Sequence, residues 1–175
     1  MPRISAKHKL AIHEAGHAAA SIYLRRAFKY ATIVPKGDSA GHVRMVKLPN
    51  FEPDIDNTSM RMRRIIEREI TINFAGLGAE YVVTGRKRWN VASHDTECAV
   101  MLALYLCGSS EETSAFLKWM LIRTCGLMNN PAMKASVRGL ADALLERKTI
   151  NAKECRRIHY ESIQSAVSKS TRIEG

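Results

Sequence analysis

His13, Glu14 and His17 are the residues whose types and spacing best suit chemistry. They stand in His13-Glu14-Ala15-Gly16-His17, an HExxH pattern. On a helix, residues four apart share a face, so two imidazoles can reach one ion. Glu14 lies beside them, placed to take a proton from a water that the ion activates. Two core histidines that happen to be four apart are the plain alternative. The glutamate between them argues against it, because zinc-hydrolase chemistry needs that residue type there.

The flanking sequence must form the helix. Ser5 can cap it, and from residue 6 to residue 27 only Gly16 interrupts good helix formers. Leu10, Ile12, Ala15, Ala19, Ile22 and Tyr23 supply apolar cover. Gly16 costs about 1 kcal/mol against alanine in a helix interior, so it predicts close approach of another backbone. A catalytic zinc site takes three protein ligands and keeps one position open for water. The third ligand must come from elsewhere, and the candidates are His42, Glu80, His94, Asp95, Glu97 and His159.

Further along, residues 28–34 have the β-branched alternation of a strand. Pro35-Lys36-Gly37-Asp38 reads as a turn, and residues 41–48 read as a second strand, giving a hairpin. A loop at 49–57 precedes a helix over 58–84, with Met62, Ile66, Ile70, Phe74, Leu77 and Tyr81 on one stripe. Asn57 or Thr58 can cap that helix and Gly85 can end it. After a loop at 86–92, Ser93 caps a helix to about residue 107, closed by Gly108. Ser109 and Glu112 make a capping box for the next, which ends near Asn130-Pro131. Another spans 132–148 with Met133, Val137, Leu140 and Leu144 buried, and the last begins near Asn151 with Glu154 at the capping-box position. The expected fold is mainly α with a small β-hairpin near the N-terminus, an α+β domain over 1–167 with a flexible tail at 168–175.

The chain has 175 residues and is 46% hydrophobic, enough for one domain with a core and against global disorder. Its longest apolar run, residues 98–107, is far shorter than the roughly 20 residues of a bilayer span. The first ten residues contain no apolar signal core, so a cytoplasmic protein with no membrane partner is expected. Cys98, Cys107, Cys125 and Cys155 form no CxxC pair and read as reduced thiols. The net charge is +10. The cations cluster at Arg25, Arg26 and Lys29, at Arg61, Arg63, Arg64 and Arg68, and at Arg86, Lys87 and Arg88. With no nucleic-acid module beside them, most read as solvated surface, and nucleic acid is not the expected partner.

Four segments in order, HEAGHAA, ATIVPKGDSAG, FAGLGAEYVVTG and VASHDTECAV, resemble the peptidase domain of the FtsH-type membrane-anchored AAA zinc proteases. Ile33, Pro35 and Gly37 match that family's turn after its strand. Ala75, Gly76, Ala79 and Glu80 match its A-G-x-x-A-E helix, and Ser93, Asp95 and Ala99 match its S-x-D-x-x-x-A segment. The late stretch LLERKTINAKE is similar as well, so the resemblance covers about residues 7–163. It implies an FtsH-peptidase-like helical zincin in which His13, His17 and Asp95 bind Zn2+ and Glu14 is the catalytic base. Glu80 competes with Asp95, since other HExxH proteases use a helical glutamate as third ligand. With Asp95 in that role, Glu80 would orient a ligand from behind.

The departures shape the expected function. No GxxxxGK[ST] loop occurs, so the chain is not expected to bind or hydrolyse ATP. RKRWNVASH before Asp95 is more basic and bulkier than the family's small-residue stretch. The resulting expectation is a soluble zinc-dependent metallopeptidase acting on peptides or unfolded protein, with a separate partner able to deliver substrates. The family's hexameric rings imply a homo-oligomer, with Trp89 or Trp119 at an interface. Gly41, His42, Val43, Arg44 and Met45 are the candidate substrate strand, pairing an edge with an extended peptide; a plain structural hairpin is the alternative. Arg86, Lys87 and Arg88 would favour acidic substrates. Two other functions remain open: a regulatory protease with one target, and a non-catalytic peptidase-fold module that binds a protein partner or nucleic acid.

Overall fold

Side-chain caps set the helix starts. Ser5 Oγ accepts from the His8 amide at 3.2 Å, Ser93 Oγ from Thr96 at 3.3 Å and Ser109 Oγ from Glu112 at 3.1 Å. Asn130 and Asn151 serve the same purpose through their side-chain oxygens. Each cap satisfies an amide that the helix itself leaves without an acceptor. The computed structural model describes residues 4–37, 40–56, 59–85 and 93–171. Over these the chain runs α1 (Ala6–Tyr23), β1 (Phe28–Thr32), β2 (His42–Met45), α2 (Met60–Thr84), α3 (His94–Ala103), α4 (Ser110–Asn129), α5 (Pro131–Arg147), β3 (Thr149–Asn151) and α6 (Ala152–Thr171). The fold is mainly helical with one small antiparallel sheet, an α+β architecture.

The sheet has three strands in the order β2-β1-β3, where a two-stranded hairpin was expected. β1 pairs with β2 through Ala31↔Val43 and Thr32↔His42, and with β3 through Ala31↔Ile150 and Thr32↔Thr149. Three residues between two helices carry too little alternation to announce β3. Ile150 nevertheless buries its side chain at 3% exposure, which places the strand. β2 lies at the sheet edge and is shorter than the 41–48 expected.

Two clusters fill the interior, and α2 belongs to both. The larger joins α1, the sheet, α5 and α6 through Ala15, Ala19, Phe28, Leu140, Leu144 and Cys155. The smaller joins α2, α3 and α4 through Ile66, Ile70, Phe74, Ala99 and Met120. The stripe expected on α5 (Met133, Val137, Leu140, Leu144) is buried throughout.

Several local expectations change. The cap of α2 is Ser59, whose Oγ accepts from Met62 at 3.2 Å; Asn57 and Thr58 lie outside the described residues. α1 stops at Tyr23, and Arg25 there has a φ of 54°, a left-handed conformation that ends a helix. Tyr23 is 57% exposed and gives no apolar cover. Arg26 is not solvated: it is buried, its Nε donating to both Glu69 oxygens at 3.0 Å and its guanidinium to the Ala27 carbonyl at 2.9 Å. Arg63 and Arg68 are paired too, with Glu67 and Glu69. α3 ends at Ala103 rather than near 107. α6 continues to Thr171, so the tail expected from 168 begins inside a helix. Trp119 on α4 is 46% exposed with the Arg123 guanidinium 4.6 Å above its ring, while Trp89 lies outside the described residues. Among the described residues no helix is long and apolar enough to cross a membrane.

His159 ties pH to stability. It is buried on α6, sharing a 2.6 Å hydrogen bond with Ser136 Oγ, and burial lowers its pKa from the ordinary 6.5. The unfolded chain therefore binds a proton near pH 6.5 that the folded chain still refuses. The His159 contribution to stability is full above pH 6.5 and is lost as the pH drops below it toward the folded value. Chemical denaturation across that range should show this loss, and His159→Gln should flatten the slope.

Candidate metal centre

The crossing of α1 and α2 creates the site. A Cβ on Gly16 would come 2.5 Å from the Ala75 carbonyl oxygen and 2.8 Å from Ala79 Cβ, so the approach predicted from Gly16 is present. On the facing helix, a Cβ on Gly76 would fall 2.6 Å from the Nε2 atoms of both His13 and His17. The two glycines let the backbones close up and leave the imidazoles room between them.

The outer ring nitrogens are anchored. His17 Nδ1 lies 2.7 Å from the Ile72 carbonyl oxygen, which can only accept, so this nitrogen carries the proton. His13 Nδ1 lies 2.9 Å from Glu80 Oε1. Burial would raise the Glu80 pKa, but His13 and Lys9 outweigh it and lower it, so this carboxylate also accepts. Lys9 Nζ holds the other Glu80 oxygen at 2.9 Å. Both rings thus turn Nε2 inward, as happens when a metal-binding histidine donates its other ring N–H to a carboxylate or a carbonyl.

Asp95 completes the group from the first turn of α3, where the helix N-terminus favours negative charge. Its Oδ2 lies 3.0 Å from His13 Nε2 and 3.3 Å from His17 Nε2, and the two Nε2 atoms are 3.0 Å apart. These three side chains form a group that can hold a metal ion. A tetrahedral ion with bonds of about 2.0–2.1 Å separates its ligand atoms by about 3.3 Å, so the spacing fits. Burial opposes a charge on His13, but the hydrogen bonds to Asp95 and Glu80 prevail and raise its pKa to about 10. Burial likewise opposes ionised Asp95, and the two histidines hold its carboxyl far below the usual range. A proton shared by His13 and Asp95 can therefore balance this donor set, and a cation would displace it.

Glu14 stands beside the donors, 3% exposed. Its Oε2 is buried without a hydrogen-bond partner among the described residues. Burial raises its pKa, partly opposed by His17 and His13. The group opens on a cleft of about 1280 Å³, bounded by β2 through Gly41, His42, Val43, Arg44 and Met45. A Cβ on Gly41 would lie 3.0 Å from Glu14 Oε1, so the chain enters β2 beside this carboxylate.

The other ligand candidates lie elsewhere. Glu80 sits behind the His13 ring. His42, on the cleft wall, is 3.2 Å from the Tyr30 hydroxyl, His94 is exposed with Cys98 Sγ at 3.6 Å, Glu97 is exposed, and His159 is in the core. Arg86, Lys87 and Arg88 lie outside the described residues. The sequence reading missed Lys9 and the Ile72 carbonyl. Lys9 was within reach of it, being four residues before His13 on the same helix face. Comparison with known protein families gives no match, and neither does comparison with curated proteins.

Two substitutions test the geometry through zinc affinity, measured by chelator competition. Gly76→Ala pushes a methyl group into both imidazoles and should weaken binding at least tenfold, roughly the loss of an orienting partner. Gly126→Ala is the control, since a Cβ there meets nothing within 4 Å. Glu80→Gln keeps an acceptor for His13 Nδ1 but loses its charge, and should weaken binding about tenfold.

Proposed function

We propose that this chain is a zinc-dependent metallopeptidase with an FtsH-type peptidase architecture. The observation that carries the reading is the convergence of three ligand atoms beside a buried carboxylate that has no hydrogen-bond partner among the described residues. Packing does not account for such a carboxylate, because burying it unpaired costs free energy. The quoted resemblance supports the reading at the same positions: HEAGHAA on α1, Gly76 and Glu80 on α2, Asp95 at the start of α3.

His13, His17 and Asp95 would hold the zinc. Bound there, zinc would supply Lewis acidity, making water a nucleophile near neutral pH and polarising a peptide carbonyl. Glu14 has Oε2 free to accept the water's proton and to return it to the leaving amine. Its raised pKa brings the carboxylate closer to neutrality, where a base both accepts and releases readily. Glu80, fixed by Lys9, keeps the His13 ring oriented. β2, at the sheet edge, offers backbone groups to an extended peptide. Such a site takes flexible segments or unfolded chains.

Zinc-loaded protein should degrade unfolded fluorescent casein without ATP. Glu14→Gln should bind zinc equally and lose at least about a hundredfold in rate, the usual share of a general base. Undiminished cleavage by that variant would reject Glu14 as base. Intact casein with the zinc-loaded native chain would reject a self-sufficient peptidase and favour a single-target protease or a binding module.

A further inference from the structure

The cleft holds acids and cations in unequal supply. Among the described residues that line it, the acids are Glu14, Glu80 and Asp95, all at the metal centre. Glu80 is paired with Lys9, and Asp95 faces both histidines. A dication at the centre would offset Asp95 and Glu14. The remaining cleft cations, Lys7, Lys36 and Arg44, are exposed and have no ion-pair partner among the described residues. Lys7 even lies against a fourth cation, Lys148. The wall potential is felt by a neutral neighbour: burial, then the charges of Lys36 and Arg44, lower the His42 pKa.

The placement of Arg44 adds direction. Val43 and Met45 pack on the core, so His42 and Arg44, at alternate positions, occupy the other face of β2. Gly41, just before the strand, lies against the Glu14 carboxylate. Arg44 lies three residues further, about 10 Å along an extended chain. A peptide paired with β2 would set a side chain against it at cross-strand distance, where opposite charges attract.

We infer that the cleft selects acidic peptide segments: extended chains carrying Asp or Glu roughly three residues from the bond presented to Glu14. The position relative to a scissile bond rests on the peptidase reading, while recognition of the acidic chain does not. A nucleic acid is the less suitable polyanion. The described cleft lining contains no Phe, Tyr or Trp on which bases could stack, whereas it does contain a strand edge.

The test is fluorescence anisotropy with the zinc-loaded Glu14→Gln variant of the 175-residue chain. The probes are a labelled peptide rich in Asp and Glu and its Asn/Gln counterpart. The acidic peptide should bind about tenfold tighter at low salt, and the gap should close as salt shortens the screening length. Lys36→Gln with Arg44→Gln should remove most of the preference, and Lys36→Glu with Arg44→Glu should reverse it. Equal binding of the two peptides, binding of neither, or a preference untouched by these variants would overturn the inference. So would displacement of the acidic peptide by a single-stranded oligonucleotide at equal concentration. Cleavage by the native chain separates the two readings. An acidic peptide bound preferentially but left intact rejects the peptidase and keeps the selectivity. Cleavage of both peptides at equal rates keeps the peptidase and overturns the selectivity.

Discussion

The close crossing of α1 and α2 is the constraint on which the rest depends. Gly16 admits the Ala75 carbonyl, and Gly76 admits the two imidazoles. Each glycine sacrifices about 1 kcal/mol of helix propensity. Much of the buried face of α1 is alanine, with Ala11, Ala15, Ala18, Ala19 and Ala20 all fully buried beside Ile12 and Ile22. Small residues bring backbones together but fill little volume. Larger side chains from α5 and α6, such as Leu140, Leu144 and Ile158, complete the core around them. The apolar interior is thereby arranged so that a polar cluster can exist at one end of the crossing.

That cluster would be unstable without its anchors. Without a proton or a metal ion between them, two Nε2 atoms 3.0 Å apart would repel, and the nearby carboxylate oxygen would add to the repulsion. Hydrogen bonds to Ile72 and Glu80 fix the rings despite this, and the Arg26–Glu69 pair fastens the segment that follows α1 to α2. The repulsion is relieved only by a positive charge among the three atoms, whether a proton or a metal ion. Lys9 is well placed but already committed to Glu80. The geometry is thus one in which affinity for a cation follows from what the fold enforces.

The sequence made one half of this legible. His13, Glu14 and His17 declare themselves by spacing, and Gly16 by its cost in a helix. Asp95 does not, because its partners are 82 and 78 positions away in sequence; the resemblance singled it out and its capped helix start made it plausible. Glu80 was visible as a rival, but no local pattern says which side of the His13 ring it takes. β3 was hidden because Thr149, Ile150 and Asn151 are too few to alternate and the Asn151 cap pointed to a helix. Arg26 was misjudged for a related reason. Its charge reads as surface until Glu69, 43 residues later, is brought against it.

α3 shows how the pieces depend on one another. It buries only Ala99 and Ala103 fully, far less apolar surface than α5 or α2. Alanines contribute little transfer free energy, so packing holds α3 less firmly than its neighbours. Its tie to α1 is Asp95, through His13 and His17. A cation joining those three side chains would therefore do more than fill a site. It would fasten the least anchored helix to the most buried one, and its binding free energy would add to the stability of that contact. Asp95 would position the ion and the ion would position α3, so the proposed third ligand and the wall of the cleft that α3 forms would be set together.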